Sequence, residues 1–282
     1  MWSRTKRGTD PSLEMAARAL REVWRGQKAE GTRFMLRRGR EEVQLELAER
    51  KDRFGLLVLA ILAGAKVQEA TAAATFNALL ERGLTDPDRL AERRDEDEQA
   101  VRQVLQEHYR ALASKAQKAE ALFAAAERVE RLYGGDLRNL HRPEQPWVET
   151  LKALREFPHL KSRAYWLCRE MRRHGLWPDL GPQACAAVDT PVKLALWRLG
   201  FVGQKAAFLR DIPACDCLQA IDRYFGGDTL PLFYQGDRLC RPGRAALCAG
   251  ECQMRAYCRW VHRPEGSRDT EQPFGLSTGT CG

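Results

Sequence analysis

The chain has 282 residues, of which 44% are apolar, so it can bury the core of one large domain or two modest ones. It has no apolar run of membrane length and no secretory signal, so we expect a cytoplasmic protein outside the membrane, nucleoid-associated if bacterial. The formal net charge of +8 favours polyanionic partners, nucleic acid before acidic membrane. Nine cysteines in such a chain are not expected to form a disulfide framework.

The first half of the chain is dominated by helical patterns. "PSLEMAARALREVW" starts at Pro11 after Asp10 and places its apolar residues on one face. "TRFMLRRGREEVQLELAERKD" is ambiguous, because its alternation around Arg-Gly-Arg fits a small hairpin whereas its second half also fits a helix. Residues 54–64 are apolar all round, which predicts a short, central, buried helix.

Helix signals continue to residue 200. "TDPDRLAERR" has Thr85 or Asp86 as its cap, "SKAQKAEALFAAAERVERLYGG" starts at a serine cap and ends at two glycines, and "VDTPVKLALWRLG" opens at Asp189 and closes at Gly200. We therefore predict an all-α protein of about ten helices.

Two of these segments also suggest a site. "LREFPHLKSRAYWLCREM" reads as two helices joined by a short turn, and the second helix carries Lys161 and Arg163 in its opening turn. Free N–H groups there could bind a phosphate, although a plain helical hairpin is the commoner outcome. Asp189 at a helix start is most often a structural cap. The alternative is a fixed carboxylate that steers a water molecule or stabilises a cationic, sugar-like transition state.

Four cysteines near the end of the chain form a candidate metal site. "CRPGRAALCAGECQMRAYC" has the spacing C-x7-C-x3-C-x5-C, and its members are Cys240, Cys248, Cys252 and Cys258. Four thiolates at short spacing suit a four-iron four-sulfur (4Fe-4S) cluster or zinc, and the remaining alternative is four cysteines without a metal.

The order of these features resembles the endonuclease III branch of the helix-hairpin-helix (HhH-GPD) DNA glycosylase superfamily, over Phe54 to Cys258. That family has LPGVGRKTA at the hairpin, an acid in a V-D-T segment, and a C-x6-C-x2-C-x5-C tail that holds a 4Fe-4S cluster. Here the last cysteine gap is identical, and each of the two earlier gaps is one residue longer. The resemblance favours iron and sulfur over zinc.

The resemblance implies an all-α fold of two helical modules. Residues 54–176 would form a six-helix barrel module with the helix-hairpin-helix. Residues 177–282 would form a C-terminal helical module with the catalytic acid and the cluster loop, and residues 1–53 would supply an N-terminal helix and an extension that pack on it.

The resemblance also implies residue roles, with departures at the hairpin. Asp189 matches the catalytic acid. Arg163 stands where bifunctional members have a nucleophilic lysine, and an arginine stays protonated and cannot form a Schiff base. Lys161, two residues earlier, is a poor substitute. His159 and Lys161 replace the two glycines, which should weaken the backbone grip on phosphate, although the Lys161 charge could compensate.

The DNA contacts implied by the resemblance lie in three places. They are the hairpin, two loops that insert side chains where a nucleotide is extruded, and a basic tail surface. The residues are His159, Lys161, Ser162 and Arg163; Lys66, Tyr109 and Leu112; and Arg241, Arg244 and Arg255. Tyr109 and Leu112 could equally be helix packing, and Ala65 stands where the family commonly has glutamine.

These features predict a base-excision repair glycosylase that acts on double-stranded DNA as a monomer and hydrolyses the N-glycosidic bond of a damaged or mismatched base. The arginine at position 163 predicts that it is monofunctional, with weak or no abasic-site lyase activity. The alternative is a catalytically impaired protein on the same scaffold that binds or senses damaged DNA. A third reading is a zinc-stabilised all-α adaptor unrelated to DNA.

Overall fold

The computed structural model of the chain describes residues 10–25, 31–38, 40–63, 67–109, 115–204, 206, 208–240 and 252–258. These residues form eleven α-helices and one two-stranded sheet, with about 65% of residues helical and 5% in strands. The predicted all-α fold class is therefore confirmed. Within the described ranges, no helix combines the length and the apolar character that crossing a membrane requires.

The chain divides into two compact units. The split unit consists of Met1–Gln27 and Val188–Gly282, and the continuous unit is Lys28–Ala187. Sequence analysis predicts boundaries after residues 53 and 176 instead. The difference has a packing reason, because the β-hairpin contacts helices of the continuous unit and so does the 3-10 turn Pro182–Cys185.

Helices and strands are numbered in chain order. The continuous unit contains β1 (Arg33–Arg38), β2 (Glu41–Glu46), α2 (Arg50–Leu62), α3 (Glu69–Glu81), α4 (Pro87–Glu92), α5 (Arg94–His108), α6 (Lys115–Tyr133), α7 (Trp147–Arg155) and α8 (Arg163–Arg173). The split unit contains α1 (Pro11–Val23), α9 (Thr190–Arg198), α10 (Ala214–Phe225) and α11 (Leu230–Tyr234), followed by a π-helical turn (Gln235–Leu239) and a 3-10 turn (Arg255–Tyr257).

The ambiguous segment after α1 is a hairpin. Strands β1 and β2 pair antiparallel, with Phe34 opposite Leu45. Phe34, Val43 and Leu45 are buried in the core of the continuous unit. Val43 and Leu45 lie two residues apart and so share one face of β2, which is the period that a half-buried strand requires.

Helix α2 is the centre of the continuous unit. Every residue from Arg53 to Leu62 is buried, as the apolar run predicts. Arg53 is the one charged residue in this stretch, and its guanidinium forms two bonds to the Asp136 carboxylate, at 2.7 and 2.8 Å. It also donates to the carbonyls of Leu47 and Ala48. A buried charge with this many partners does not remain unsatisfied, so α2 can be buried along with it.

Three aspartates start helices as the sequence indicates. Asp10, Asp86 and Asp189 each accept a hydrogen bond from a backbone N–H in the first turn of α1, α4 and α9, respectively. A proline occupies the first or second position of each of these helices, where its missing N–H costs nothing. The predicted starts of these helices are confirmed.

In the split unit, the π-helical turn packs against the start of α9 with no spare room. A Cβ atom added to Gly236 would lie 1.9 Å from the carbonyl oxygen of Pro191. Only glycine allows this approach of two backbones. The contact joins the segment that leads to Cys240 to the start of α9, which Asp189 caps.

Replacing Gly236 with alanine should therefore destabilise the split unit, because the new methyl group meets backbone that cannot yield easily. We expect a loss of about 2–3 kcal/mol in the free energy of unfolding, measured by urea denaturation. Gly226→Ala is the control, since Gly226 has a left-handed φ of 59° but open space around it. It should cost only about 1 kcal/mol. Equal losses in the two variants would contradict this interpretation.

Candidate functional site

The turn between α7 and α8 spans residues 156–162 and is anchored by two apolar side chains. Phe157 and Leu160 are buried, and the backbone N–H of Arg163 donates to the carbonyl of Leu160 at 2.6 Å. His159, Lys161 and Ser162 are exposed. The buried pair thus fixes a turn whose polar residues face water.

Two residues of this turn adopt left-handed backbone conformations. His159 has a φ of 61° and Lys161 a φ of 29°. Both are positions where the family pattern has glycine. Side-chain-bearing residues rarely adopt such values, which cost about 1 kcal/mol or more each. The chain therefore keeps a backbone path suited to glycine in the absence of glycine.

This conformation also corrects the position of Lys161. Sequence analysis places it in the opening turn of the second helix, whereas α8 begins at Arg163. A residue with a φ of 29° cannot be helical, so Lys161 belongs to the turn.

Histidine 159 connects the turn to the start of α6. Desolvation by the surrounding protein lowers its pKa, and the charges of Lys118 and Lys161 lower it further, while a hydrogen bond with the backbone of Gln117 opposes them. A pKa below the ordinary value near 6.5 leaves the ring neutral at pH 7 and above. His159 can then donate a hydrogen bond to a phosphate but adds no charge.

At the position where the resemblance would place a lysine, the chain has Arg163, which is partly buried. A guanidinium nitrogen of Arg163 lies 3.9 Å from a carboxylate oxygen of Glu69, the first residue of α3. Its charge also lowers the pKa of the neighbouring Lys118. Arg163 can bind an anion, but it brings no amine to this point of the hairpin.

Tyr109 is a buried helix partner in this structure and not an exposed wedge. It is 2% exposed, and its hydroxyl donates to the carbonyl of Leu62 at 2.9 Å. Burial raises the pKa of Tyr109 well above its usual range. Of the two readings of this residue, the structure favours helix packing, because the end of α2 needs a hydrogen-bond donor here.

Lys118 is a buried cation that sequence analysis missed. Its ammonium group donates to the carbonyls of Ile61 and Leu62 at 2.6 and 3.0 Å and lies 5.6 Å from the centre of the Tyr109 ring. Burial lowers its pKa to about 8, with a contribution from Arg163. The available signal was its place on the apolar face of α6, four residues before the buried Leu122.

The candidate catalytic acid is held at the start of α9. The backbone N–H of Val192 donates to a carboxylate oxygen of Asp189 at 3.3 Å, and the residue is partly buried. The next two positions after Thr190, Pro191 and Val192, are buried and anchor the helix start. Asp189 is therefore a structural cap, and the same bond would fix its carboxylate for chemistry.

Three of the four clustered cysteines lie in the described part of the chain. Cys240 and Cys258 are buried and Cys252 is partly buried. The side-chain amide nitrogen of Gln235 lies 3.7 Å from the Cys240 sulfur and 3.3 Å from the Cys252 sulfur. Two cysteine sulfurs thus lie near one amide donor. Among the residues described, no three His, Cys, Asp or Glu side chains stand close enough to hold a metal.

The remaining candidate residues fall outside the described ranges, apart from Arg255. This arginine is exposed and begins the 3-10 turn that ends just before Cys258. The candidates that lie outside the described residues are Lys66, Leu112, Arg241, Arg244 and Cys248.

The pKa of Lys118 predicts a specific pH dependence. The unfolded chain holds this proton up to about pH 10.5 and the folded chain only up to about pH 8, so deprotonation favours folding between these values. The stability of wild type relative to Lys118→Met should therefore rise from pH 7 to pH 10.5, by roughly 3 kcal/mol at most, in urea unfolding. Lys152→Met removes an exposed lysine of α7 as the control. Equal pH slopes for the two variants would refute the account.

The strained turn predicts an unusual gain from glycine. His159→Gly and Lys161→Gly should each raise the free energy of unfolding by about 0.5–1 kcal/mol, because glycine accepts a left-handed φ without strain. Lys152→Gly, in the exposed middle of α7, should lower it by about 1 kcal/mol. Thermal unfolding of the three variants measures whether each substitution raises or lowers the stability. Losses at positions 159 and 161 would show that the turn is not left-handed.

Comparison with known proteins adds no family to this picture. Neither protein-family models, nor curated proteins, nor solved structures gave a match to the chain. The functional conclusion therefore depends on the residues and contacts of the two units.

Proposed function

We propose that this protein is a monofunctional DNA glycosylase that hydrolyses the N-glycosidic bond between deoxyribose and a damaged or mismatched base in double-stranded DNA. The observation that carries the proposal is the left-handed backbone of His159 and Lys161 in the turn between α7 and α8. These are the two positions where the resembling family has glycines that let the backbone approach a phosphate. We expect it to act as a monomer in the cytoplasm.

The strain in this turn needs a reason, because two side-chain-bearing residues hold a conformation that costs free energy. Binding of a phosphate would be such a reason, and two features of the turn support it. The first helical residue after it, Arg163, is basic, and the N-terminus of α8 places partial positive charge at the turn. Lys161 adds a second positive charge at the surface. A turn of this kind binds the DNA backbone without reading its sequence.

Asp189 is the residue we propose for the chemistry. Departure of the base leaves positive charge on the sugar, which a nearby carboxylate stabilises, and the same carboxylate can orient the attacking water. The bond from the Val192 N–H keeps the group in one place, so little reorganisation is needed. The base must leave the duplex stack to react, at a cost that is least for a damaged or mismatched base.

The arginine at position 163 decides the product. A lysine amine could attack C1′ of the sugar and form an imine that leads to strand cleavage, but a guanidinium remains protonated and cannot. Hydrolysis by water then leaves an abasic site in an intact strand. We propose no lyase step.

The cysteine segment has a structural role in this proposal. Cys240, Cys248, Cys252 and Cys258 would hold a 4Fe-4S cluster, or zinc as the alternative. Such a group would supply folding free energy and cross-link the cysteine segment. Arg255 and the basic residues between the cysteines would then face the DNA backbone.

A second candidate function is DNA binding without catalysis, as in a damage sensor. Two observations favour it. The Asp189 carboxylate has a sufficient structural reason to exist as the cap of α9, and the burial of Tyr109 removes one of the side chains that could fill the gap left by an extruded nucleotide.

Asp189→Asn distinguishes the two candidates, because asparagine also caps helices well and should leave the fold intact. We expect wild type to release a base from at least one duplex in a panel of oxidised, deaminated, alkylated and mismatched DNA, read as strand breaks after alkali. The variant should lose at least 100-fold in rate while it keeps its DNA affinity.

The same DNA panel tests whether the protein releases the base without cleaving the strand. Borohydride should trap little wild-type protein on abasic DNA, and breaks should require alkali. Efficient trapping that Lys161→Ala abolishes and Arg163→Ala leaves intact would overturn this step. Equal base release by wild type and Asp189→Asn would overturn the role of the acid.

A further inference from the structure

The β-hairpin of the continuous unit has two edges, and its register decides which backbone groups lie along each. The N–H of Leu47 donates to the carbonyl of Thr32 at 2.7 Å, so the backbone groups of these two residues face each other across the ladder. Facing pairs and outward pairs alternate in an antiparallel ladder. On β1, the residues that turn their N–H and C=O groups outward are therefore Arg33, Met35 and Arg37.

The outer edge of β2 is closed by side chains of neighbouring helices. The outward N–H of Glu46 donates to a carboxylate oxygen of Asp52, in the first turn of α2, at 2.7 Å. The outward carbonyl of Glu42 accepts a hydrogen bond from the side-chain amide of Asn77, in α3, at 3.1 Å. The protein thus satisfies backbone groups at both ends of this edge by itself.

The outer edge of β1 has no such cover. The N–H and C=O groups of Arg33 and Met35 make no hydrogen bond with any of the residues that the structure describes. Both side chains lie on the exposed face of the sheet, and Met35 is 44% exposed. Phe34 and Leu36 pack into the core and hold the strand in place. A held strand with an unpaired edge is a template for the addition of another strand.

The charges on the exposed face indicate which strand would fit. Arg33 lies opposite Glu46, and Arg37 lies opposite Glu42, with which it forms an ion pair. Met35 stands between the two arginines. The exposed face is therefore basic along β1 and acidic along β2. Because opposite charges stabilise cross-strand pairs, a strand added beyond β1 fits best with acidic, apolar and acidic residues at alternating positions.

A second copy of this chain fits the edge poorly. Full antiparallel overlap of two β1 strands would place Arg33 of one copy opposite Arg37 of the other, and like charges in this position are destabilising. We propose that the outer edge of β1 binds an extended acidic segment of a partner protein, which pairs antiparallel with β1 and becomes the third strand of the sheet. An apolar residue of that segment would cover Met35. This inference is independent of base release and of any metal.

The test uses a fluorescent peptide with glutamate, valine and glutamate at alternating positions and threonine between them. It is titrated with full-length protein, and binding is followed by fluorescence anisotropy. We expect saturable binding with a dissociation constant below about 1 mM. A matched peptide with lysine in place of both glutamates should bind about 10-fold more weakly or worse, because like charges then face the two arginines.

Two matched protein variants test the backbone pairing. Met35→Pro removes an outward N–H of β1, and Gln44→Pro removes an outward N–H of β2 from the residue directly opposite. A proline is tolerated where an edge N–H faces away from the ladder. We expect Met35→Pro to weaken peptide binding about 10-fold or more, since the ring also blocks the approach of a third strand, and Gln44→Pro to leave it unchanged.

A modified peptide keeps the test decisive if Met35→Pro does not fold. Methylation of the backbone nitrogens of the valine and both glutamates removes the donors that would face β1. It should weaken binding to the wild-type protein about 10-fold or more. Methylation at the threonines, whose N–H groups would face away, should leave binding unchanged.

Several results would overturn the proposal. They are no saturable binding of the acidic peptide, equal binding of the acidic and lysine peptides, or full binding by a folded Met35→Pro variant. A wild-type dimer that Met35→Pro dissociates would assign the edge to a second copy. Loss of duplex DNA affinity in Arg33→Glu, with no peptide binding by wild type, would assign it to DNA. Base release enters none of these results, so this inference and the glycosylase proposal fail separately.

Discussion

Burial of helix α2 is the constraint on which the continuous unit depends. A helix enclosed from Arg53 to Leu62 gains apolar burial but leaves its last carbonyls away from water, where each unpaired group costs about 1–3 kcal/mol. Lys118 and Tyr109 supply the missing donors at Ile61 and Leu62. This requirement explains a lysine inside the core, the lowered pKa of its ammonium group, and a tyrosine that packs where DNA insertion was one alternative.

In the turn between α7 and α8, side-chain packing is balanced against backbone strain. Phe157 and Leu160 bury the inner face of the turn, and His159 and Lys161 accept left-handed φ values on the outer face. The buried pair thus maintains the backbone path, and its cost is strain at the two exposed residues. In the proposed function, the charge of Lys161 would add to the phosphate contact.

How much the sequence could predict depends on how local each interaction is. The aspartate caps of α1, α4 and α9 and the burial of α2 follow from neighbouring residues, and the structure has them. The partners of Lys118 lie more than fifty residues away, and Trp24 reaches Gln235 across 211 positions, so no local pattern reveals either. The β-hairpin could not be predicted because the residues of β2 fit both the period of a strand and the period of a helix. Only the surface against which they pack distinguishes the two. The resemblance suggested a role in DNA binding for the turn between α7 and α8 and a catalytic role for Asp189. Local chemistry alone predicts only a turn and a helix cap at these positions.

A glycosylase that acts through Asp189 should bind a cationic sugar more tightly than a neutral one. This claim is tested most directly by comparing the affinity of wild type for two duplexes, one with a pyrrolidine abasic analogue, which is positively charged, and one with neutral tetrahydrofuran. An enzyme that stabilises an oxocarbenium-like transition state should bind the charged analogue at least 100-fold more tightly. Equal affinity for the two duplexes would contradict the claim and leave DNA binding without catalysis.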